Sequence, residues 1–150
     1  MNNIFNTTFE VSLRVLLTLE ASSREWVSAD RISASDFVTV YGKEFGIADE
    51  NLHGENSYKY SEFSLRRELV KEALKSLVAH GLVFVQATSD GFLYTLSKTG
   101  GEYCAELESE YAQSYRDIAS TVKQFISNKS ERGLLLLINR NSLSALQRSN

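Results

Sequence analysis

The chain contains no proline, a single cysteine and only two histidines among its 150 residues. Because proline breaks helix interiors, its absence is typical of a mainly helical body. The one cysteine, Cys104, cannot form an internal disulfide, and the sequence has no CxxC or Cys/His spacing of a zinc site. The longest apolar run, Leu134 to Ile138, is far shorter than the roughly 20 residues of a membrane span, and the start, MNNIFNTTFE, lacks the pattern of a secretion signal. We therefore expect a cytoplasmic protein without metal, cofactor or membrane span.

Basic charge is also scarce. The sequence has 16 lysine and arginine residues against 19 aspartate and glutamate residues, a formal net charge of -3 at pH 7. Domains that bind nucleic acid usually have a strongly basic balance or a concentrated basic face. The charge balance therefore argues against DNA binding as the main task of the chain.

The most informative segment is SEFSLRRELVKEALKSLVAHGLVFVQATSDGFLYTLS, residues 61–97. Its apolar residues first recur at helical spacing after Ser61, which is placed to cap a helix, and Gly81 ends that helix. Apolar residues then alternate on both sides of Asp90-Gly91, a tip that favours a β-hairpin because both residues accept positive φ. A helix followed by such a hairpin predicts the second half of a winged helix.

Further helices are predicted on either side of this segment. Thr7 with Glu10 three residues later fits a capping box and begins a helix that ends near Ser22. A second helix is expected from Ser28 to about Phe45, and the polar residues 46–60 that follow form a long loop.

After the hairpin, apolar spacing predicts one helix from Thr99 to about Asn128, with Ser97 as its cap. Such a long helix is expected to pack against another chain through residues that include Tyr111, Ile118 and Phe125. The final segment, GLLLLINRNSLSALQRSN, contains a short apolar run that fits either a buried helix or a strand. The fold class is therefore mainly α with a small β-hairpin: a winged helix-turn-helix domain over residues 1–97 and a helical extension over residues 98–150, forming one compact unit.

A DNA-binding claim would depend on Arg67, Lys71 and Lys75. These residues follow one another every four positions on the polar side of the helix before the hairpin, where a recognition helix carries its contacts. Glu68 and Glu72 lie beside them, however, where they would pair with the lysines and repel phosphates. The alternative is a solvated face crossed by ion pairs. The acidic hairpin tip, TSDGF, also favours contact with protein over contact with DNA.

Arg66 points among the apolar residues of the same helix. A buried guanidinium needs a carboxylate, a backbone carbonyl or a contact across an interface. We therefore include Arg66 among the candidate partner-binding residues.

Residues with catalytic chemistry are few. His53 and His80 occur in no catalytic spacing, and His80 is expected to end a helix. Cys104 lies on an apolar stripe and Asp36 inside a predicted helix, so a buried thiol and a paired or solvated carboxylate are expected. The sequence predicts no enzyme, although His53 lies in the long loop and keeps an enzymatic role as a third alternative.

Four stretches in order resemble the middle component of ABC-three-component systems: SDFVTVYGKEFG, LHGENSYKYSEF, RRELVKEALKSLVAHGLV and LESEYAQSYRDIAS. The most specific part is the join where Leu52-His53-Gly54 precedes Glu62, Arg66 and Arg67. The resemblance implies a small winged-helix protein encoded beside an ABC- or SMC-type ATPase and an effector, in bacterial conflict systems similar to Lamassu. If the resemblance holds, Tyr111 and Tyr115 lie on the helix that follows the wing, and we include both among the candidate partner-binding residues.

Two main hypotheses follow. The first is a non-enzymatic adaptor that docks onto an ATPase subunit or a second copy of this chain and links it to an effector, with DNA reached through the complex. The second is a winged-helix transcription regulator that binds DNA through Arg67, Lys71 and Lys75. Salt-dependent DNA binding distinguishes the two.

Overall fold

A computed structural model describes residues 7–54 and 58–149, with side chains up to residue 144. Over these residues the chain forms six α-helices, one 3-10 helix and three strands. In chain order they are α1 Thr8–Ala21, β1 Val27–Ser28, α2 Ala29–Val40, the 3-10 helix Gly42–Phe45, α3 Phe63–Ala79, β2 Val83–Thr88, β3 Gly91–Leu96, α4 Lys98–Ala105, α5 Glu110–Ile126 and α6 Glu131–Ser149. A mainly helical fold with a small β component is thereby confirmed. The first six residues of the start, on which the secretion prediction depends, lie outside the described range.

Side-chain caps begin most of the helices. The Thr7 hydroxyl accepts a hydrogen bond from the Glu10 amide at 3.2 Å, and Ser97 accepts one from the Gly100 amide at 3.0 Å, so both predicted caps are confirmed. The predicted cap Ser61 is wrong. Glu62 occupies the cap position of α3 and its side chain makes no capping bond to the helix, while the Ser61 hydroxyl donates to the Tyr58 carbonyl.

The hairpin forms as predicted, with a shift of one residue at its tip. Strands β2 and β3 pair antiparallel, and the register Thr88 opposite Gly91 leaves Ser89 and Asp90 as the tip. Gly91, the first residue after the tip, has a positive φ of 117°, whereas Ser89 and Asp90 do not. The sheet also has a third strand that the sequence did not reveal, since β1 pairs with β3 and gives the order β1-β3-β2.

The long helix predicted from Thr99 to Asn128 is wrong, because it is divided into α4 and α5. Ser109 caps α5 by accepting from the Ala112 amide at 3.1 Å. Backbone carbonyls at and just after the end of α4 are hydrogen-bonded by a side chain. The Arg116 guanidinium donates to the Cys104 oxygen at 3.0 Å and to the Leu107 oxygen at 3.4 Å. Both helices can therefore pack on α1.

Two smaller predictions need correction or completion. The second predicted helix ends at Val40, and Tyr41 separates it from the 3-10 helix that reaches Phe45. The final segment, for which the sequence fits either a helix or a strand, forms the helix α6, and α6 buries Leu134 and Ile138.

The buried apolar side chains form two clusters. We call the first the helical core; it joins α2, α5, α6 and Leu17 of α1. The second, the hairpin core, joins α1, α3, α4, the base of the sheet and Ile32 of α2. Helix α1 contributes to both clusters, and it therefore positions the groups that lie between them.

Candidate functional site

Asp36 of α2 is the centre of a buried polar network. Its carboxylate, 1% exposed, accepts hydrogen bonds from the Arg14 Nε at 2.9 Å and from the Tyr115 hydroxyl at 2.7 Å, both at Oδ1. The Arg66 Nη1 lies 3.5 Å from Oδ2. Since Arg14 belongs to α1, Arg66 to α3 and Tyr115 to α5, one carboxylate joins four helices. We call these four residues the Asp36 network.

The network keeps a fixed charge state. Burial alone would raise the pKa of Asp36, but the positive charges of Arg14 and Arg66, with the hydrogen bonds from Tyr115 and Arg14, hold the pKa below its usual value. Burial also raises the pKa of the Tyr115 hydroxyl, which therefore remains a donor. The arrangement is suited to holding helices together and has no group poised to exchange a proton near neutral pH.

His53 extends the network from the long loop. Its Nδ1 lies 3.3 Å from the Arg66 Nη2 and its Nε2 lies 2.7 Å from the Tyr111 hydroxyl. Because a guanidinium only donates, Nδ1 is the acceptor, and the proton of the neutral ring is on Nε2 and points to Tyr111. Burial, with the positive charges of Arg14 and Arg66, lowers the pKa of His53 to about 3. A histidine so weakly basic is unsuited to general-base catalysis near pH 7.

The other chemistry-bearing residues also have structural partners. Cys104 is buried, as expected, and burial raises the pKa of its thiol to about 12. Of the two states expected for Asp36, paired or solvated, the structure shows the paired one. Arg66 has the carboxylate partner that its apolar surroundings required, and its guanidinium also lies 5.3 Å from the centre of the Tyr41 ring.

The proposed DNA-contacting residues form ion pairs within the chain. Arg67 contacts Asp30 at 2.8 Å, Lys71 contacts Glu68 at 3.5 Å and Lys75 contacts Glu72 at 3.4 Å. The solvated, ion-paired face is thus what the structure shows. DNA binding by these three residues stays a prediction.

The five candidate partner-binding residues are not brought together on one surface. Arg66 and Tyr115 are buried inside the chain, in the Asp36 network. The others, Tyr111, Ile118 and Phe125, pack against the helical core with part of each side chain exposed. They were proposed because one long helix was expected to pack against another chain. In the structure, α5 packs against α1 and α2 of the same chain. Contact between these residues and a partner stays a prediction.

The sequence interpretation missed Arg14, although a signal was present. Arg14 stands among Leu13, Val15 and Leu16 in the apolar part of α1, just as Arg66 stands in the apolar part of α3. Two arginines and one aspartate on helix faces that must be buried indicate a shared ion network.

A groove opens between α3 and the hairpin. The register places Val85 opposite Tyr94 and Ala87 opposite Phe92, so these side chains share the face of the hairpin toward α3. Val85 and Phe92 remain 43% and 60% exposed. The groove encloses about 530 Å³, and we call it the hairpin groove; its lining residues are Ala29, Lys71, Leu74, Lys75, Val78, Val85, Phe92 and Tyr94.

No helix in the described part of the chain is both long and apolar enough to cross a membrane.

Comparison with protein families identifies the chain. Residues 4–148 match the family model described as ABC-three component (ABC-3C) system Middle Component 2. Searches among curated proteins and among solved structures returned no match. The matched range contains the Asp36 network and the hairpin groove, and it confirms the resemblance to a middle component. The chain therefore belongs to the ABC-3C Middle Component 2 family.

Proposed function

We propose that this middle component is a non-catalytic accessory subunit that binds an ABC- or SMC-type ATPase and links it to an effector in a cytoplasmic, Lamassu-like antiviral system. Membership of the family supports an accessory role in a system of several components. The order α1, β1, α2, α3, β2, β3, with β1 as a third strand, supports the winged-helix part of the proposal.

The observation that carries the proposal is the presence of two exposed apolar surfaces on different parts of the molecule. The first is on the hairpin, where Val85 and Phe92 are exposed on the face toward α3. The second is on α6, where Leu136 and Leu143 are exposed and, being seven residues apart, lie on one face. The hairpin packs on the hairpin core and α6 on the helical core. Clustered exposed apolar side chains are typical of protein interaction sites, and two such surfaces fit a subunit that joins two partners.

The interior supports a non-catalytic role. Asp36, His53 and Cys104, which have the chemistry of acids, bases and nucleophiles, are held by intramolecular contacts. Their altered pKa values follow from burial and from paired charges, which are also the causes found in purely structural networks.

The test is assembly from defined subunits. The tagged chain is co-expressed with the ATPase and effector subunits of its own system, and nuclease-treated complexes are recovered and separated by size. We expect a complex of all three subunits. The paired substitutions Leu136→Asp and Leu143→Asp should release one partner, and Val85→Asp with Phe92→Asp should release the other.

Matched controls separate interface loss from general effects of added charge. Ser144→Asp adds a carboxylate to an exposed polar position of α6 that is turned roughly 80° from Leu136 and 100° from Leu143. Gln86→Asp adds one to an exposed polar position of β2, on the face away from Val85 and Phe92. Both should leave assembly intact. Retention of both partners by both doubly substituted variants, each with the native circular dichroism spectrum, would refute the bridging role.

A second function, transcription regulation, has one observation in its favour. Arg67, Lys71 and Lys75 do lie along one side of α3, although each contacts a carboxylate. This function requires salt-dependent duplex binding that weakens when all three become alanine. Undetectable binding at low salt would eliminate it.

A further inference from the structure

The two sides of the hairpin groove differ in chemistry. Its floor and hairpin side are apolar, with Leu74 and Val78 on α3 facing Val85, Phe92 and Tyr94 of the sheet. Its rim on α3 is cationic, because Lys71 and Lys75 are there. Among the described residues, those that line the groove include no carboxylate.

Helix geometry explains why the acidic residues of α3 do not line the groove. At about 100° per residue, Leu74 and Val78 lie roughly 60° and 20° to one side of Lys71. Glu68 and Glu72 lie roughly 60° and 100° to the other side. The carboxylates that pair with the lysines are therefore turned away from the apolar floor.

These ion pairs do not prevent the lysines from contacting a ligand. Lys71 and Lys75 are exposed, and their contacts with Glu68 and Glu72, at 3.5 Å and 3.4 Å, are between neighbours on one turn of helix. Ion pairs in water are weak, so an ammonium group can turn toward a new carboxylate at little cost.

We propose that the hairpin groove binds an amphipathic helix of a partner protein, whose apolar face covers Val85 and Phe92 and whose acidic flank contacts Lys71 and Lys75. The identification of the partner as another subunit of the same system rests on the proposed function. Binding of an amphipathic helix in an apolar groove explains both the exposed floor and the cationic rim. The phosphates of a nucleic acid would contact the lysines of the rim, but they would not cover the apolar floor.

A second copy of this chain is a poor occupant. The exposed leucine pair of α6, Leu136 and Leu143, is accompanied by Arg132 and Arg140 on the same side. Arginines on both turns around Leu136 would meet the lysines of the rim, and like charges disfavour that contact. This face of a second copy therefore supplies no acidic flank, and we assign the flank to a different protein.

The binding test uses two labelled helical peptides of about 18 residues. Both have leucines at positions i, i+3, i+4 and i+7, flanked by glutamates in one peptide and by lysines in the other. Fluorescence anisotropy against the full chain should show the acidic peptide binding at least about tenfold more tightly, with the preference reduced by salt. Equal affinity for the two peptides, or no binding of the acidic peptide, would overturn the proposal.

Substitutions locate the binding site. Phe92→Asp and the milder Phe92→Ser should weaken binding of the acidic peptide, by about tenfold for the aspartate. Phe84→Asp is the matched control, because Phe84 is on the same hairpin but on its other face. Lys71→Glu with Lys75→Glu should reverse the preference between peptides. An equal loss in Phe84→Asp, with every variant folded by circular dichroism, would place binding elsewhere.

Three further outcomes distinguish the alternatives. A labelled DNA duplex that binds and is lost in the Lys71→Glu and Lys75→Glu variant, with no binding of the acidic peptide, would overturn the proposal in favour of a nucleic acid. Normal assembly with the other subunits by a Phe92→Asp chain that has lost the peptide would refute the partner assignment and leave the accessory function intact. Peptide binding without any subunit assembly would support the groove and count against the accessory function alone.

Discussion

The Asp36 network and the hairpin groove reverse the usual distribution of polar and apolar groups. In the network, two arginines and an aspartate are inside the protein, and the chain supplies the partners of the aspartate from three helices. In the groove, Val85 and Phe92 are outside, and they remain exposed in the described structure. The network is accounted for by folding, since it joins four helices. The exposed part of Phe92 contributes nothing to folding, and the binding that we propose would account for it.

The largest effect is expected from breaking the network at its centre. Asp36→Asn leaves two buried guanidinium groups without a counter-charge, so the free energy of unfolding should fall by about 3–5 kcal/mol. Asp30→Asn is the matched control, because it removes the partly exposed ion pair with Arg67 and should cost less than about 1 kcal/mol. Urea unfolding measures both. A similar loss in the two variants would show that burial does not distinguish these ion pairs.

The next effect concerns how the base of the hairpin is held against α4. A Cβ atom at Gly100 would lie 2.1 Å from the Leu82 carbonyl oxygen, so Gly100→Ala should lower the free energy of unfolding by about 1–3 kcal/mol. Gly101 is next to it in the same helix, and there the nearest atom would be 4.0 Å away. Gly101→Ala should therefore be neutral or stabilise by about 0.5–1 kcal/mol, because alanine favours a helix. Thermal unfolding of the two variants shows whether stability falls only at Gly100, where the new Cβ meets the Leu82 carbonyl, or at any glycine of α4.

A third prediction concerns pH and the loop end of the network. The pKa of His53 is about 3 in the folded chain and roughly 6.5 when unfolded, so only the unfolded chain takes up this proton as pH falls below 6.5. Stability from this residue is complete above pH 6.5 and decreases by about 1.4 kcal/mol per pH unit toward pH 3. Asp36 has the same sign, but its loss begins only near the ordinary carboxyl pKa of about 3.9.

Urea unfolding between pH 7 and pH 5 measures this slope. His53→Gln should remove most of it. Tyr111→Phe is the comparison, because it removes the hydroxyl that contacts His53 but leaves the imidazole buried. The Tyr111→Phe variant should keep the slope. If the slope disappears in this variant, the low pKa of His53 is due to the hydrogen bond with Tyr111 and not to burial.

The smallest effect on stability is expected in the groove. Phe92→Ser should change the free energy of unfolding by less than about 0.5 kcal/mol, because most of the side chain is already in water. Leu74 lines the same groove but is fully buried beneath it, so Leu74→Ala should cost about 2–5 kcal/mol. A large loss of stability in Phe92→Ser would mean that the groove is part of the fold and not a surface reserved for a partner.

How much of this could be predicted depends on the distance along the chain over which each signal acts. The helix α3, the hairpin and the caps Thr7 and Ser97 were predicted because their signals are within a few residues. The division between α4 and α5 was not, because apolar spacing continues across it and the break is stabilised by Arg116, nine residues after Leu107. The need of Arg66 for a partner was predictable, but Asp36 as that partner was not, since the two are 30 residues apart.

The site follows the same rule. The cationic line on α3 could be located from the sequence, as could the alternation of apolar residues in the hairpin. That they form two sides of one groove depends on how the sheet packs against α3, which local spacing does not specify.

The position of Asp36 also bears on how the molecule opens. Its partners Arg14, Arg66 and Tyr115 are 22, 30 and 79 residues away in sequence, and each belongs to a different helix. Helix α5 therefore cannot detach alone without removing a donor from a buried carboxylate. Amides in the middle of α5 should exchange with solvent at the free energy of global unfolding, together with those of α1. The carboxylate thus makes segments distant in sequence a single cooperative unit, so that the accessory subunit would present its surfaces either in their correct relation or not at all.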